Sequence, residues 1–222
     1  MKSKLFVVSF LCMFLSLSIN AQNTEAIVAD ELQTFGELMD MDLNGGKPFM
    51  DVLREKYIFP HISDRNLEPH HLSGLLLAAN GTPHRGDMHN RTAFAPMDVQ
   101  CITLYVLART GIYLYDAETH KLKIIDKIDA RMKVSEDHSI NKAPVILLYV
   151  INPDAMSVVK NENLTNYAYL QAGSISQNVF LFCSSEDMAT NVILDIKKEE
   201  VAKRLNTKAT NLLYIQSVGY RE

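Results

Sequence analysis

The stretch Pro144 to Ile151, PVILLYVI, constrains this chain more than any other feature: it is continuously apolar and rich in β-branched residues. Such a run has no polar side to turn toward water, so it predicts a strand covered on both faces. A second apolar stretch, AGSISQNVFLFC (Ala172 to Cys183), predicts a largely buried helix. The polar triplet Ser176-Gln177-Asn178 interrupts that helix, and the acidic pair Glu186-Asp187 follows it.

The remaining segments supply both helices and strands. Residues 22–47 carry a helical pattern (Ile27, Leu32, Phe35, Leu38) that ends at the breaker Asn44-Gly45-Gly46. A short helix is expected over Phe49 to Lys56. Another starts at Glu68-Pro69, where proline suits the first turn, and stops at the C-cap pair Asn80-Gly81. Residues 82–98 form a polar loop. VQCITLYVLA, a turn at Arg109 to Gly111, and IYLYD then read as a β-hairpin, with LKII as a short further strand. KKEEVAKRL suggests an exposed helix and NLLYIQSVGY a last strand. This mixed order with hairpins gives an α+β class rather than a doubly wound sheet. Tyr105, Tyr113 and Tyr115 suit cross-strand packing.

The first residues, MKSKLFVVSFLCMFLSLSINAQ, have the form of a secretory signal peptide: Lys2 and Lys4, an apolar run over residues 5–17, and a small residue at Ala21. Residues 1–21 are therefore expected to be removed, leaving an exported periplasmic or extracellular protein. The segment is too short and too poorly flanked for a membrane span. Its loss takes two lysines and no acid, so net charge moves from −4 to −6. A mildly acidic chain without a basic block is a poor nucleic-acid binder. Residues 22–48 then read as an N-terminal helical extension and residues 49–222 as the main domain. Cys101 and Cys183 remain, both in apolar segments, and read as buried free thiols rather than a disulfide framework.

Motifs with direct chemistry are scarce. Five of the seven histidines fall between His61 and His89. His70 and His71 are adjacent and so should point in different directions on a helix, while His84 and His89 lie in a loop; no metal site is assigned. Sequons stand at Asn80, Asn90 and Asn163. No nucleophile elbow, zinc-helix motif or phosphate-cradling loop occurs, and no catalytic residue is assigned.

Three segments together resemble the nitroreductase family, in particular the branch containing dehydrogenases that act on thiazoline and oxazoline peptides. They are Met50 to Gly81, Arg91 to Leu122, and AGSISQNVFLFCSSEDMATNV with the closing LLYIQSVGY. The combination of LLLAANG, GIYLYDAETH and SQNVFLFC carries the specificity. The resemblance implies a sandwich with a central, mainly antiparallel sheet flanked by helices, and an intertwined homodimer. It also implies FMN at the dimer interface, with hydride passing through flavin N5, so that the protein supplies anchors and a shaped pocket.

Residue by residue, the FMN elements are altered. The family's arginine-rich phosphate run falls on Lys56-Tyr57-Ile58-Phe59-Pro60, where only Lys56 keeps a charge. The ring-contacting segment reads Phe94-Ala95-Pro96-Met97-Asp98; an ionised Asp98 only accepts hydrogen bonds, and Gln100 is left as the amide. The turn after the central helix reads Asp187-Met188-Ala189-Thr190, with Asp187 in place of glycine, Asn191 next in the chain, and Ile193 where an arginine often sits. Lys56, Asp98, Gln100, Met188, Ala189, Thr190 and Asn191 are thus the candidate cofactor-binding residues.

Three readings follow. The first is an exported nitroreductase-like homodimer whose FMN site is degraded or remodelled, serving as a binding or non-classical redox module. The second is an active FMN-dependent oxidoreductase that holds flavin with Lys56, Arg54, Arg85 or Arg91, backbone N–H groups near Ala189, and Gln100. Outside the cytoplasm NAD(P)H is not expected, so this enzyme would oxidise a substrate. The third, motivated only by the histidines, is a hydrolase or metal protein.

Overall fold

Strand β4 (Val145–Ile151) is buried at every position and occupies the interior of a six-stranded sheet. The computed structural model describes residues 38–41, 44–55, 61–83, 90–137 and 140–222. The other strands are β1 (Ile102–Ala108), β2 (Gly111–Asp116), β3 (Lys121–Asp126), β5 (Met188–Ile193) and β6 (Leu212–Tyr220). They lie in the order β3-β2-β1-β4-β6-β5, and every pairing is antiparallel. The expected hairpin is β1–β2, closed at Ala108↔Gly111. β3 continues it as a mostly exposed edge bearing lysines, which suits a strand with one neighbour.

Among the described residues four α-helices complete the layers: α1 (Phe49–Glu55), α2 (Pro69–Asn80), α3 (Asn161–Ser185) and α4 (Lys198–Arg204). On one face, Ile146, Leu148 and Val150 pack with Val201 and Ala202 of α4 and with Ala130 and Val134. Alternation sends Tyr149 to the opposite face. There its hydroxyl donates to Gln216 Oε1 at 2.6 Å, and Gln216 Nε2 reaches Thr190 Oγ1 (3.0 Å) and the Ser176 carbonyl of α3 (3.5 Å). α3 in turn packs on α2, with Phe182 against Gly74. Among the described residues no helix is long and apolar enough to cross a membrane. Cys101 and Cys183 are buried free thiols.

Several elements differ from expectation. α3 starts at Asn161, well before Ala172, because Leu164, Ala168 and Gln171 form a narrow buried stripe on an otherwise polar surface. Of the helical extension expected over residues 22–48, positions 38–41 and 44–48 are irregular; the rest, like the signal peptide over 1–21, lies outside the described residues. α2 ends at Asn80 as expected, but Gly81 has φ −79° and is no left-handed cap. Met188 to Thr190, read as part of a turn, lie in β5, whose strand character comes from full pairing with β6.

Gly219 in β6 lets the Ile62 segment bridge to Arg221. A Cβ there would collide with Ile62 and lie 2.8 Å from Pro144 Cδ. Gly219→Ala is expected to cost about 1–3 kcal/mol, the range for overpacking. An unchanged thermal midpoint would contradict that reading.

Candidate functional site

The acidic pair lies where α3 hands over to β5. Glu186 N donates to the Phe182 carbonyl and closes the helix, and Asp187 then takes φ +56° to reverse the chain. Aspartate enters this left-handed region more readily than most side chains. Two cations meet its carboxylate: Lys47 Nζ stands 2.6 Å and Arg221 Nη1 3.1 Å from the same oxygen, Oδ1. Lys47 Nζ also pairs with Glu55 at 2.8 Å and donates to the Ser184 carbonyl at 3.3 Å. Arg221 Nε donates to the Met188 carbonyl. Lys47 is brought in by Gly46 (φ +83°), where a Cβ would sit 2.8 Å from Ser185 Oγ; that hydroxyl accepts from Lys47 N at 3.1 Å. The Lys47 hydrogen bond is the main influence holding the Asp187 carboxyl below its ordinary range, and the Lys47 ammonium is correspondingly raised.

Glu186 faces a different group. Its Oε2 is 3.9 Å from His71 Nε2, and His71 Nδ1 is 2.9 Å from the Tyr220 hydroxyl. Burial, followed by the neighbouring His70, lowers the His71 pKa. The two adjacent imidazoles do not diverge as expected: their ring centroids are 4.0 Å apart.

Beside Lys47 a cleft of about 400 Å³ opens between α1, α2 and α3. Phe49, Val52, Ala78, Leu181 and Phe182 give it apolar walls, while Thr92, Asn178 and Ser185 add polar groups. Asn178 is already engaged, since its Nδ2 donates to the Thr92 carbonyl at 3.0 Å.

Of the expected cofactor residues, Met188 adjoins this junction through the carbonyl that accepts from Arg221 Nε. Lys56 lies outside the described residues, as do Tyr57 to Pro60 and Arg85. Asp98 is exposed at the end of a short 3-10 turn, with φ +58°. Gln100 Oε1 accepts from Gln171 Nε2 at 2.7 Å, while Gln171 Oε1 caps the N–H groups of Cys101 and Ile102 at the start of β1. Met188, Ala189 and Thr190 are buried in β5 opposite Tyr220, Gly219 and Val218, and the Asn191 carbonyl accepts from Ser217 Oγ. Ile193 pairs with Ile215 and packs on the core. What the fold does bring together is Lys47, Glu55, Asp187 and Arg221. Sequence reading missed three of these four, because Lys47 and Asp187 stand 140 positions apart.

A six-stranded antiparallel sheet with α4 on one face and α3, backed by α2, on the other defines an α+β sandwich with a polar junction at the end of its long helix. Among solved structures it is similar to a protein classed as a nitroreductase from Ralstonia eutropha, with a TM-score of 0.77, 24% identity, and coverage of 84% of this chain and 89% of that one. It is also similar to the E. coli microcin synthetase McbBCD complex with truncated pro-MccB17 bound, at TM-score 0.67, 17% identity, and coverage of 85% and 76%. A protein classed as an NAD(P)H:FMN oxidoreductase from Staphylococcus epidermidis gives a TM-score of 0.56 at 10% identity, covering 82% and 91%. No curated protein sequence matches the chain. The nitroreductase family model matches residues 63–220, most of the chain. The protein belongs to the nitroreductase family.

Proposed function

We propose that this protein is an exported, homodimeric member of the family whose FMN site is remodelled, and that it works as a binding or non-classical redox module. The observation that carries the reading is the Lys47–Asp187–Arg221 junction. A bound phosphate dianion is best held by charge-assisted donors. The two cations next to the altered turn already share a carboxylate of the protein itself, and that carboxylate would repel a phosphate. Gln100 Oε1 already accepts from Gln171, and Asp98 offers an acceptor where an amide is expected. These residues do not fit FMN held in the manner the family implies, so no flavin step is derived.

Support for the dimer is the exposure of Phe49, Met50, Phe94, Met97 and Leu170, each more than half accessible. That much large apolar surface on one protomer favours an interface. Support for export is the N-terminal pattern of Lys2, Lys4, the apolar run and Ala21.

The apolar cleft favours a second reading, an active FMN-dependent oxidoreductase with other anchors. One preparation separates the two. The exported protein is expected to have the mass of a chain lacking residues 1–21, to scatter light as a dimer, and to carry no flavin absorption after incubation with FMN and removal of free FMN by gel filtration. A yellow protein with flavin absorption bands would overturn the remodelled-site reading in favour of the second.

A further inference from the structure

We propose that Glu68, the residue before α2, and His70 and His71 in its first turn form a site for a divalent transition-metal ion of the zinc class. One ligand atom from each side chain lies within 4.8 Å of the other two. Two imidazoles and a carboxylate are a donor set that zinc-class ions accept, with a fourth position left to water. Glu68 and His70 are half exposed, at 51% and 50%, so their side chains are free to close the remaining gap around an ion.

The surroundings are organised beyond the cluster itself. Tyr220 reaches across from the end of β6, and its hydroxyl meets His71 Nδ1 at 2.9 Å and accepts from Glu68 N at 3.1 Å. Metal-bound histidines ordinarily use their second nitrogen in this way, which fixes ring orientation and tautomer. The ring of Tyr220 is held in turn by the Arg65 guanidinium, 4.0 Å from its centroid.

Arg65 and the helix N-terminus both oppose a cation. The two oxygens of Glu68 divide that conflict: Oε1 neutralises Arg65 at 2.8 Å, while Oε2 faces His70 at 3.6 Å. Glu186, 3.9 Å from His71 Nε2, adds a second carboxylate.

The site is independent of flavin binding. Its test is titration of the purified protein, prepared without a histidine tag, with Zn²⁺ by calorimetry and with Co²⁺ by visible absorbance. One saturable ion per protomer is expected, with Co²⁺ bands of a nitrogen- and oxygen-ligated site. His70→Ala and Glu68→Gln, both at half-exposed positions that leave folding intact, should each weaken binding at least ~10-fold; Tyr220→Phe should weaken it about 10- to 100-fold with unchanged stoichiometry, as a positioning residue would. No saturable uptake up to millimolar Zn²⁺ would overturn the proposal. So would binding that survives His70→Ala and Glu68→Gln but disappears on replacing His84 and His89.

Discussion

Leu148→Ala is expected to lower the unfolding free energy by about 2–5 kcal/mol, the range for deleting a buried leucine side chain. Leu148 is 1% exposed in the middle of β4, packed in one cluster with Ile146, Val150, Ile215 and the α4 residues Val201 and Ala202. β4 is hydrogen-bonded on both edges, to β1 and to β6, so it cannot shift to fill the void. The cost therefore includes a cavity as well as lost transfer free energy. Leu194, 70% exposed, provides the control: its alanine variant should stay within about 0.5 kcal/mol of the parent. Urea titration of both variants reads the difference. A Leu148→Ala midpoint no lower than that of Leu194→Ala would show that the core does not centre on β4.

The second large effect concerns the junction after α3. Asp187→Gly should raise FMN affinity by at least ~10-fold, which corresponds to about 1.4 kcal/mol. The substitution removes a like charge, takes one carboxylate away from Lys47, which keeps Glu55, and from Arg221, and relieves the side-chain cost of φ +56°. Lys47→Ala introduced on top should remove most of the gain, because one of the two cations at the junction is then missing. Thermal midpoints of both variants separate a binding effect from a folding effect. If flavin affinity does not move in Asp187→Gly, the carboxylate is not what keeps the anion out. Arginine at Ile193 does not belong in this experiment: that side chain packs on the buried cluster, where an added guanidinium would cost stability.

The elements legible in the sequence share one property, a hydrophobic period that needs no partner to be recognised. The β1–β2 hairpin announces itself by strand-like runs on either side of Arg109 to Gly111, and α2 by its proline start. The same local patterns carried the family resemblance, since LLLAANG, GIYLYDAETH and SQNVFLFC coincide with α2, β2 and its turn, and α3. β5 was not legible. MATNVI is short and only half buried, and pairing with β6 is what makes it a strand.

The candidate site was legible only in part. Asp187 stood out as an acid where a glycine was expected, but its neighbours are Lys47 and Arg221, whose positions depend on a glycine-bearing loop and on the end of β6. Gln100 stood out as an amide, yet its partner Gln171 lies 71 positions away on α3. By itself the sequence determined the α+β class and the buried central strand, because these rest on local periodicity, while the family came from the resemblance of whole segments. Only the tertiary structure decided what the charges do. Ion pairs and hydrogen bonds act over a few ångströms, and sequence separation says nothing about which groups come that close.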